Sequence, residues 1–306
     1  TANDTFKQWR EKSFEERAEV LRKVAKLFDE QRAELTRIIA EEMGKSVKEG
    51  DGEINDVVEI FNYYADNGAE FGADEEIPNQ RGGTSVMRKV PLGVILGIMP
   101  WNFPYYQVAR FAAPALMAGN VVMVKHAEIC PRSAAAIAKI FDEAGAPKGL
   151  YTNLYAKHSQ VSTLINDDRV QGVSLTGSER AGRTIASQAG QALKKCVLEL
   201  GGTDAYVVLD ASDVKAAAET AWNKRIGNVG QACTSNKRMI VMEDIYDEFV
   251  QALVDLAASY SEGDPLNPGD GNEFYPLSSR DAAELLAQQL RLAVAEGANL
   301  RVGGEV

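Results

Sequence analysis

Cysteine and histidine are both scarce in this sequence, and their scarcity removes several classes of protein at once. The three cysteines, Cys130, Cys196 and Cys233, are odd in number and far apart, which argues against a disulfide framework and for free thiols in a cytoplasmic setting. With His126 and His158 as the two histidines and no Cys-x-x-Cys, no metal centre is expected. Long apolar runs are lacking too. "VPLGVILGIMP" and "GNVVMVK" fall far short of the roughly 20 residues of a membrane span, and no cationic apolar leader precedes the first helix. Positive charge is in deficit, with 33 Lys and Arg against 44 Asp and Glu, and the net charge of −11 disfavours binding to a phosphate backbone.

What is present suits a soluble globular protein: 306 residues, 45% hydrophobic and 25% charged, enough for two domains. Ser13 to Glu16 has capping-box spacing, and Ala18, Leu21, Val24, Phe28, Leu35 and Ile39 recur at helical intervals, predicting one long helix over 14–43 ended by Gly44. A second helix, with Ile54, Val57, Val58, Phe61 and Tyr64 on one face, closes near Gly68 or Gly72. From about residue 84 the texture changes. The runs "VILGI", "VVMV", "GVSLT", "KCVLEL" and "AYVVL" alternate with helical stretches near 105–118, 132–144, 179–192 and 213–226. That alternation predicts an α/β fold with a parallel sheet, whose ligands gather at the carboxyl ends of the strands. The segment 78–93 resists the pattern and reads as an exposed strand or hairpin.

The strand ends carry unusual punctuation. "GIMPWNFP" brackets an aromatic and an asparagine with prolines, so the chain leaves the strand in a stiff bend. Asn102 there reads either as part of a rigid turn or as an amide donor to a developing oxyanion, worth about 3 kcal/mol in acyl-transfer sites. Lys125 and Glu128 read as solvated loop charges or as partners for ribose hydroxyls; His126 reads as structural. Gly177 and Ser178 precede a helix in an arrangement that suits phosphate on backbone N–H groups, though Ser178 is equally an ordinary N-cap and no Gly-x-Gly-x-x-Gly occurs. Glu199 closes "LELGG", as a solvated turn residue or, partly desolvated, as a general base. Cys233, in "NVGQACTSNKR", lacks the apolar neighbours of a buried thiol.

Taken in order, "PWNFP", Lys125-x-x-Glu128, "TGS", "LELGG" and "GQACTSNKR" resemble the NAD(P)-dependent aldehyde dehydrogenase superfamily along essentially the whole chain. "PWNFPYYQVARFAAPALMAGN", "KHAE" and "LELGGTDAYVVLD" are most similar to its succinate-semialdehyde dehydrogenase group. The resemblance implies a Rossmann-type NAD(P)-binding domain over 1–200, with an oligomerisation arm near 79–92, and an incomplete second α/β catalytic domain over 201–306. It implies Cys233 as nucleophile, Glu199 as general base and Asn102 as oxyanion donor. For the cofactor it implies Trp101, Lys125, Glu128, Gly177, Ser178 and Leu200. NAD is expected over NADP, because a carboxylate at Glu128 should repel a 2′-phosphate.

Arg110, six residues after Pro104, matches an arginine of this group that clamps the substrate's distal carboxylate. Several relatives carry a further arginine six residues before the nucleophile; Gly227 stands there, with Arg225 as a substitute two residues earlier. Ser235 replaces the second cysteine of a regulatory disulfide found in some relatives. A homo-oligomer, dimer or tetramer, is implied. The family's closing segments are missing after "LRVGGEV", so these 306 residues alone are expected to lack dehydrogenase activity. The alternatives are a cofactor-binding or assembly module, and a cofactor-free thiol esterase using Cys233 and Glu199.

Overall fold

Strands covered on both faces read as near-continuous apolar runs, and three such runs become adjacent strands here. The computed structural model describes residues 1–80 and 82–305. Arg81, one position of the expected 79–92 arm, lies outside the described residues. The chain forms two compact units, the first of Thr1–Ile38 with Asp51–Leu200, the second of Ile39–Gly50 with Gly201–Val306.

The first unit opens with α1 (Ala2–Trp9) and α2 (Phe14–Glu30), continues into α3 (Arg32–Met43), and resumes within α4 (Val47–Phe71). The single helix expected over 14–43 is therefore two. The capping box at Ser13 and Glu16 starts α2, and Gln31 leaves helical geometry with its N–H on Asp29 and Leu27. Gln31 then offers its carbonyl to Glu34 and Leu35, opening α3. No glycine or proline marks this break, and the apolar stripe runs across it unshifted. A short antiparallel hairpin pairs β1 (Glu75–Ile77) with β2 (Ser85–Met87); β2 falls inside the 78–93 segment read as an exposed strand or hairpin, while β1 precedes it.

The sheet follows: β3 (Val94–Ile98), α5 (Tyr106–Met117), β4 (Val121–Lys125), α6 (Pro131–Glu143), β5 (Tyr151–Asn153), α7 (His158–Asn166), β6 (Val170–Thr176), α8 (Glu179–Gln191) and β7 (Lys195–Glu199). Its order is β5-β4-β3-β6-β7, parallel throughout, which is the α/β architecture predicted. The order reverses between β3 and β6, so the loops leaving those two strands diverge and open a crevice at the carboxyl edge. Leu96, Val121, Val122 and Val124 are fully buried in the sheet. On one face Phe28 stacks on Phe61 at 6.0 Å and meets Tyr105 edge-on at 5.8 Å. The Tyr105 hydroxyl donates to the Leu35 carbonyl, and buried Glu53 accepts from the N–H groups of Tyr105 and Tyr106 at 2.8 and 3.0 Å. A carboxylate from α4 thus caps the start of α5 and fixes the bend before it.

In the second unit β8 (Ala205–Val208) pairs in parallel with β9 (Arg238–Val241), flanked by α9 (Val214–Ile226) and α10 (Glu243–Ala258). Val208, Val214, Ala218, Ala221, Phe249 and Ala252 form its core. A brief parallel pair, β10 (Ser261–Glu262) with β11 (Glu273–Phe274), precedes α11 (Arg280–Ala295), which buries none of its residues. Gly44 ends α3 at φ +81°, and a Cβ there would come 2.8 Å from the Pro276 carbonyl oxygen. Among the described residues no helix is long and apolar enough to cross a membrane.

Candidate functional site

Within the first unit, four strands end at the same edge, and each delivers residues singled out in the sequence. After β3 the chain turns through Trp101 and Asn102, both partly buried. This bend is pinned from β4 and its following loop. Buried His126 accepts the Ala127 N–H on Nδ1 at 2.8 Å, which leaves Nε2–H to donate to the Pro104 carbonyl at 2.9 Å. The Met99 N–H meets the Lys125 carbonyl at 3.0 Å, and the Cys130 thiol lies 3.9 Å from the Trp101 carbonyl. His126 is structural, as expected.

At the end of β4, buried Lys125 has its ammonium 3.8 Å from the exposed Glu128 carboxylate. Both line a cavity of about 320 Å³ that also takes Asn153 from the end of β5 and Tyr155 and Lys157 from the loop that follows it. This corrects the preference for NAD. Glu128 is partnered by one cation and shares its cavity with a second, so the repulsion of a 2′-phosphate on which that preference rested is offset.

At the end of β6, the Gly177 N–H donates to the Glu199 carbonyl at 3.0 Å and is not free for a phosphate, contrary to the expected use of that group. Ser178 caps α8 by accepting from Ala181. Leu200 packs on Gly182, where a Cβ would come within 2.7 Å of its side chain, so a small residue in α8 lets Leu200 close on the helix. Glu199 and Thr176 are register partners on β7 and β6. Arg110, from α5, reaches across to both. Its Nη1 is 3.6 Å from Glu199 Oε2, and its Nη2 donates to Thr176 Oγ1 and Gln107 Oε1, each at 3.2 Å. The arginine expected at a substrate carboxylate is therefore held by a protein carboxylate here.

Cys233 belongs to the second unit and is exposed. It follows a 3-10 turn, Gly227–Gly230, in which Asn228 and Val229 stand at φ +49° and +54°. A β-branched residue in that region carries strain of about 1–3 kcal/mol and needs its surroundings to hold it. The Asn228 N–H donates to Glu49 at 2.7 Å, and Gln231 accepts from the Ser278 N–H at 3.0 Å. Arg225, partly buried and pushed below its ordinary value by that burial, donates to the Gly230 carbonyl and the Ser235 hydroxyl. It is spent on the loop and does not replace the arginine absent at Gly227. Lys237 was not singled out in the sequence. Its ammonium donates to the carbonyls of Ala232, Cys233 and Ser235 at 2.9, 2.9 and 3.1 Å, drawing the Cys233 turn around one cation. A lysine four residues after the cysteine was the available signal. Among the described residues no group of metal-ligating side chains occurs.

The first unit thus carries a carboxylate and a cavity with two lysines along one sheet edge, and the second carries an exposed thiol in a pinned turn. The chain matches the aldehyde dehydrogenase family over residues 1–306 and belongs to it. It is 45% identical over 304 residues to a protein of Deinococcus radiodurans named succinate-semialdehyde dehydrogenase, NADP(+), covering 99% of this chain and 63% of that one. To a succinate semialdehyde dehydrogenase, NAD(P)+, of Escherichia coli K12 it is 40% identical over 302 residues, 98% of this chain and 64% of the relative. The crystal structure of succinic semialdehyde dehydrogenase from Streptococcus pyogenes with NADP+ superposes with a TM-score of 0.94 at 41% identity, covering all of this chain and 67% of that one. The chain thus spans a little under two thirds of the curated relatives' length.

Proposed function

We propose that the protein oxidises a small aldehyde with a distal carboxylate, succinate semialdehyde, to the corresponding acid with NADP. The observation that carries this reading is the gathering of Arg110, Glu199 and the Lys125–Lys157 cavity along one carboxyl edge, in a chain whose relatives are named for that reaction. The cavity residues supply what an NADP adenosine end requires: cations for a 2′-phosphate and an aromatic, Tyr155, beside it. Residues 1–200 act as the cofactor-binding domain, with Trp101, Lys125, Glu128, Ser178 and Leu200 along its length, and residues 201–306 bring the nucleophile. The hairpin β1–β2, with Ile77, Val86 and Met87 exposed, serves as the arm that pairs subunits into a homo-oligomer. Three free cysteines suit the cytoplasm.

When bound, the nicotinamide supplies the hydride acceptor. The rest falls to side chains. The Cys233 thiolate adds to the aldehyde carbon while the Asn102 amide and the Cys233 N–H donate to the oxygen that gains charge. Glu199 takes a proton from water, whose oxygen bonds to the acyl carbon as the C–S bond breaks and the acid leaves. Arg110 orients the substrate through its far carboxylate.

The test pairs an aldehyde panel, run with NADP and NAD on the full-length protein, with calorimetric binding of 2′,5′-ADP and 5′-AMP. Succinate semialdehyde with NADP is expected to give the highest kcat/KM, and 2′,5′-ADP to bind the more tightly. Cys233→Ala is expected to lower turnover more than about 10³-fold. Tighter binding of 5′-AMP would sink the NADP assignment, and unchanged turnover in Cys233→Ala would sink the mechanism.

A further inference from the structure

Arg110 and Glu199 have separate duties in the reading above, yet the structure joins them. The backbone beneath Glu199 is fixed by its pairing with Thr176 and by the Gly177 N–H on its carbonyl. Its carboxylate is about half exposed and rests 3.6 Å from the Arg110 guanidinium. Arg110 is itself steadied by Thr176 and Gln107. With Nη2 engaged by Thr176 and Gln107, Nη1 is the amino group that faces Glu199, and a ligand carboxylate seated on Arg110 competes with Glu199 for it. Exposed single-contact ion pairs are weak, whereas bidentate pairs are stronger, so exchange runs toward the ligand.

We infer that the Arg110–Glu199 pair is a latch released by the substrate's own carboxylate. Without a carboxylate ligand, Arg110 holds Glu199 toward α5. With one seated on Arg110, Glu199 is released to draw a proton from water as the water oxygen bonds to the Cys233-linked acyl carbon, and the sulfur departs as thiolate. Arg110 is then a positioning residue for the base as well as a binding residue, and aldehydes that lack a carboxylate are hydrolysed slowly because the latch stays closed. The inference rests on the proposed roles of Cys233 and Glu199.

The experiment uses an acyl donor that needs no cofactor and carries no carboxylate. Full-length protein is mixed with p-nitrophenyl acetate; the nitrophenol burst reports acylation, and the steady phase reports hydrolysis of the acyl-enzyme. Propionate is titrated in, with chloride at equal ionic strength as control. The steady phase is expected to rise with propionate by up to about fivefold, the range set by an exposed ion pair, with the burst unchanged. Arg110→Gln is expected to show the raised steady rate without propionate and no further response. A steady phase that propionate leaves unchanged or lowers in the unmodified protein overturns the latch, whatever the fate of the variant. So does a response to propionate that survives in Glu199→Gln. Loss of the burst in Cys233→Ala and a slower steady phase in Glu199→Gln separate the two levels: if either fails, the proposed function falls, and if both hold while propionate has no effect, the latch alone falls.

Discussion

The two units meet the same problem, covering a parallel sheet, and solve it differently. In the first, β3, β4 and β6 are apolar with little interruption and lie largely buried on both sides. In the second, β8 and β9 also carry apolar residues on both faces, but only Tyr206, Val208, Met239 and Val241 meet the helical core, while Val207 and Ile240 are about half exposed. A continuous apolar run therefore reports that a strand is suited to burial on both faces; whether both are covered depends on which elements pack against it. The sharpest way to break this comparison is a pair of truncations measured by urea unfolding. Leu96→Ala in β3, which is fully buried, is expected to cost about 2–5 kcal/mol. Val207→Ala in β8, 54% exposed, should stay within about 0.5 kcal/mol. Equal losses would mean that the second face of β8 is covered as the first unit's strands are.

The same contrast holds in the loops. The bend after β3 is stiffened by Pro100 and Pro104 and by buried partners, His126 and Glu53. The Cys233 turn has no proline and relies on polar contacts, of which the three carbonyls on Lys237 are the most concentrated. Lys237→Met is expected to raise amide hydrogen exchange across residues 232–236 about five- to tenfold while leaving β3 amides unchanged, since bonds to an exposed ammonium are worth on the order of 1 kcal/mol or a little more. Unchanged exchange in the turn would show that Glu49, Gln231 and Arg225 suffice to hold it.

These two regions also explain what was legible in the sequence. The strands β3, β4, β6, β7 and β8, and the helices α5, α6, α8 and α9, showed themselves because β-branched runs and helical periodicity alternate cleanly between glycine and proline punctuation. The break at Gln31 was not legible, because nothing in its side chain interrupts a helix. β5 is three residues long and α7 buries only Val161 and Ile165, too little pattern to detect. Asn102, Lys125, Glu128, Gly177 and Glu199 stood out at strand ends, where local punctuation is visible. Lys157, Tyr155 and the reach of Arg110 to Glu199 did not, since each depends on elements distant in sequence meeting at one edge of the sheet.

The smallest expected effect sets two carboxylates against each other, one in each unit. Glu16, at the start of α2, is held down at about 2, first by the hydrogen bond from the Lys12 ammonium at 2.8 Å and then by the Ser13 backbone and hydroxyl. Asp264, in the turn after β10, is also lowered, but by neutral donors, the Asn267 amide and the Leu266 N–H. A carboxyl depressed in the folded state stabilises it above its unfolded value and loses that contribution as pH falls toward the folded one. For Glu16 the loss should run from about pH 4.5 down to about 2. The leading partner of Glu16 is an exposed cation, so 0.5 M salt is expected to move its titration back toward the ordinary value, while that of Asp264 hardly shifts. Carboxyl titration by NMR at low and high salt distinguishes them. If both shift alike, the capping box and not Lys12 holds Glu16, and the difference between charged and neutral partners disappears.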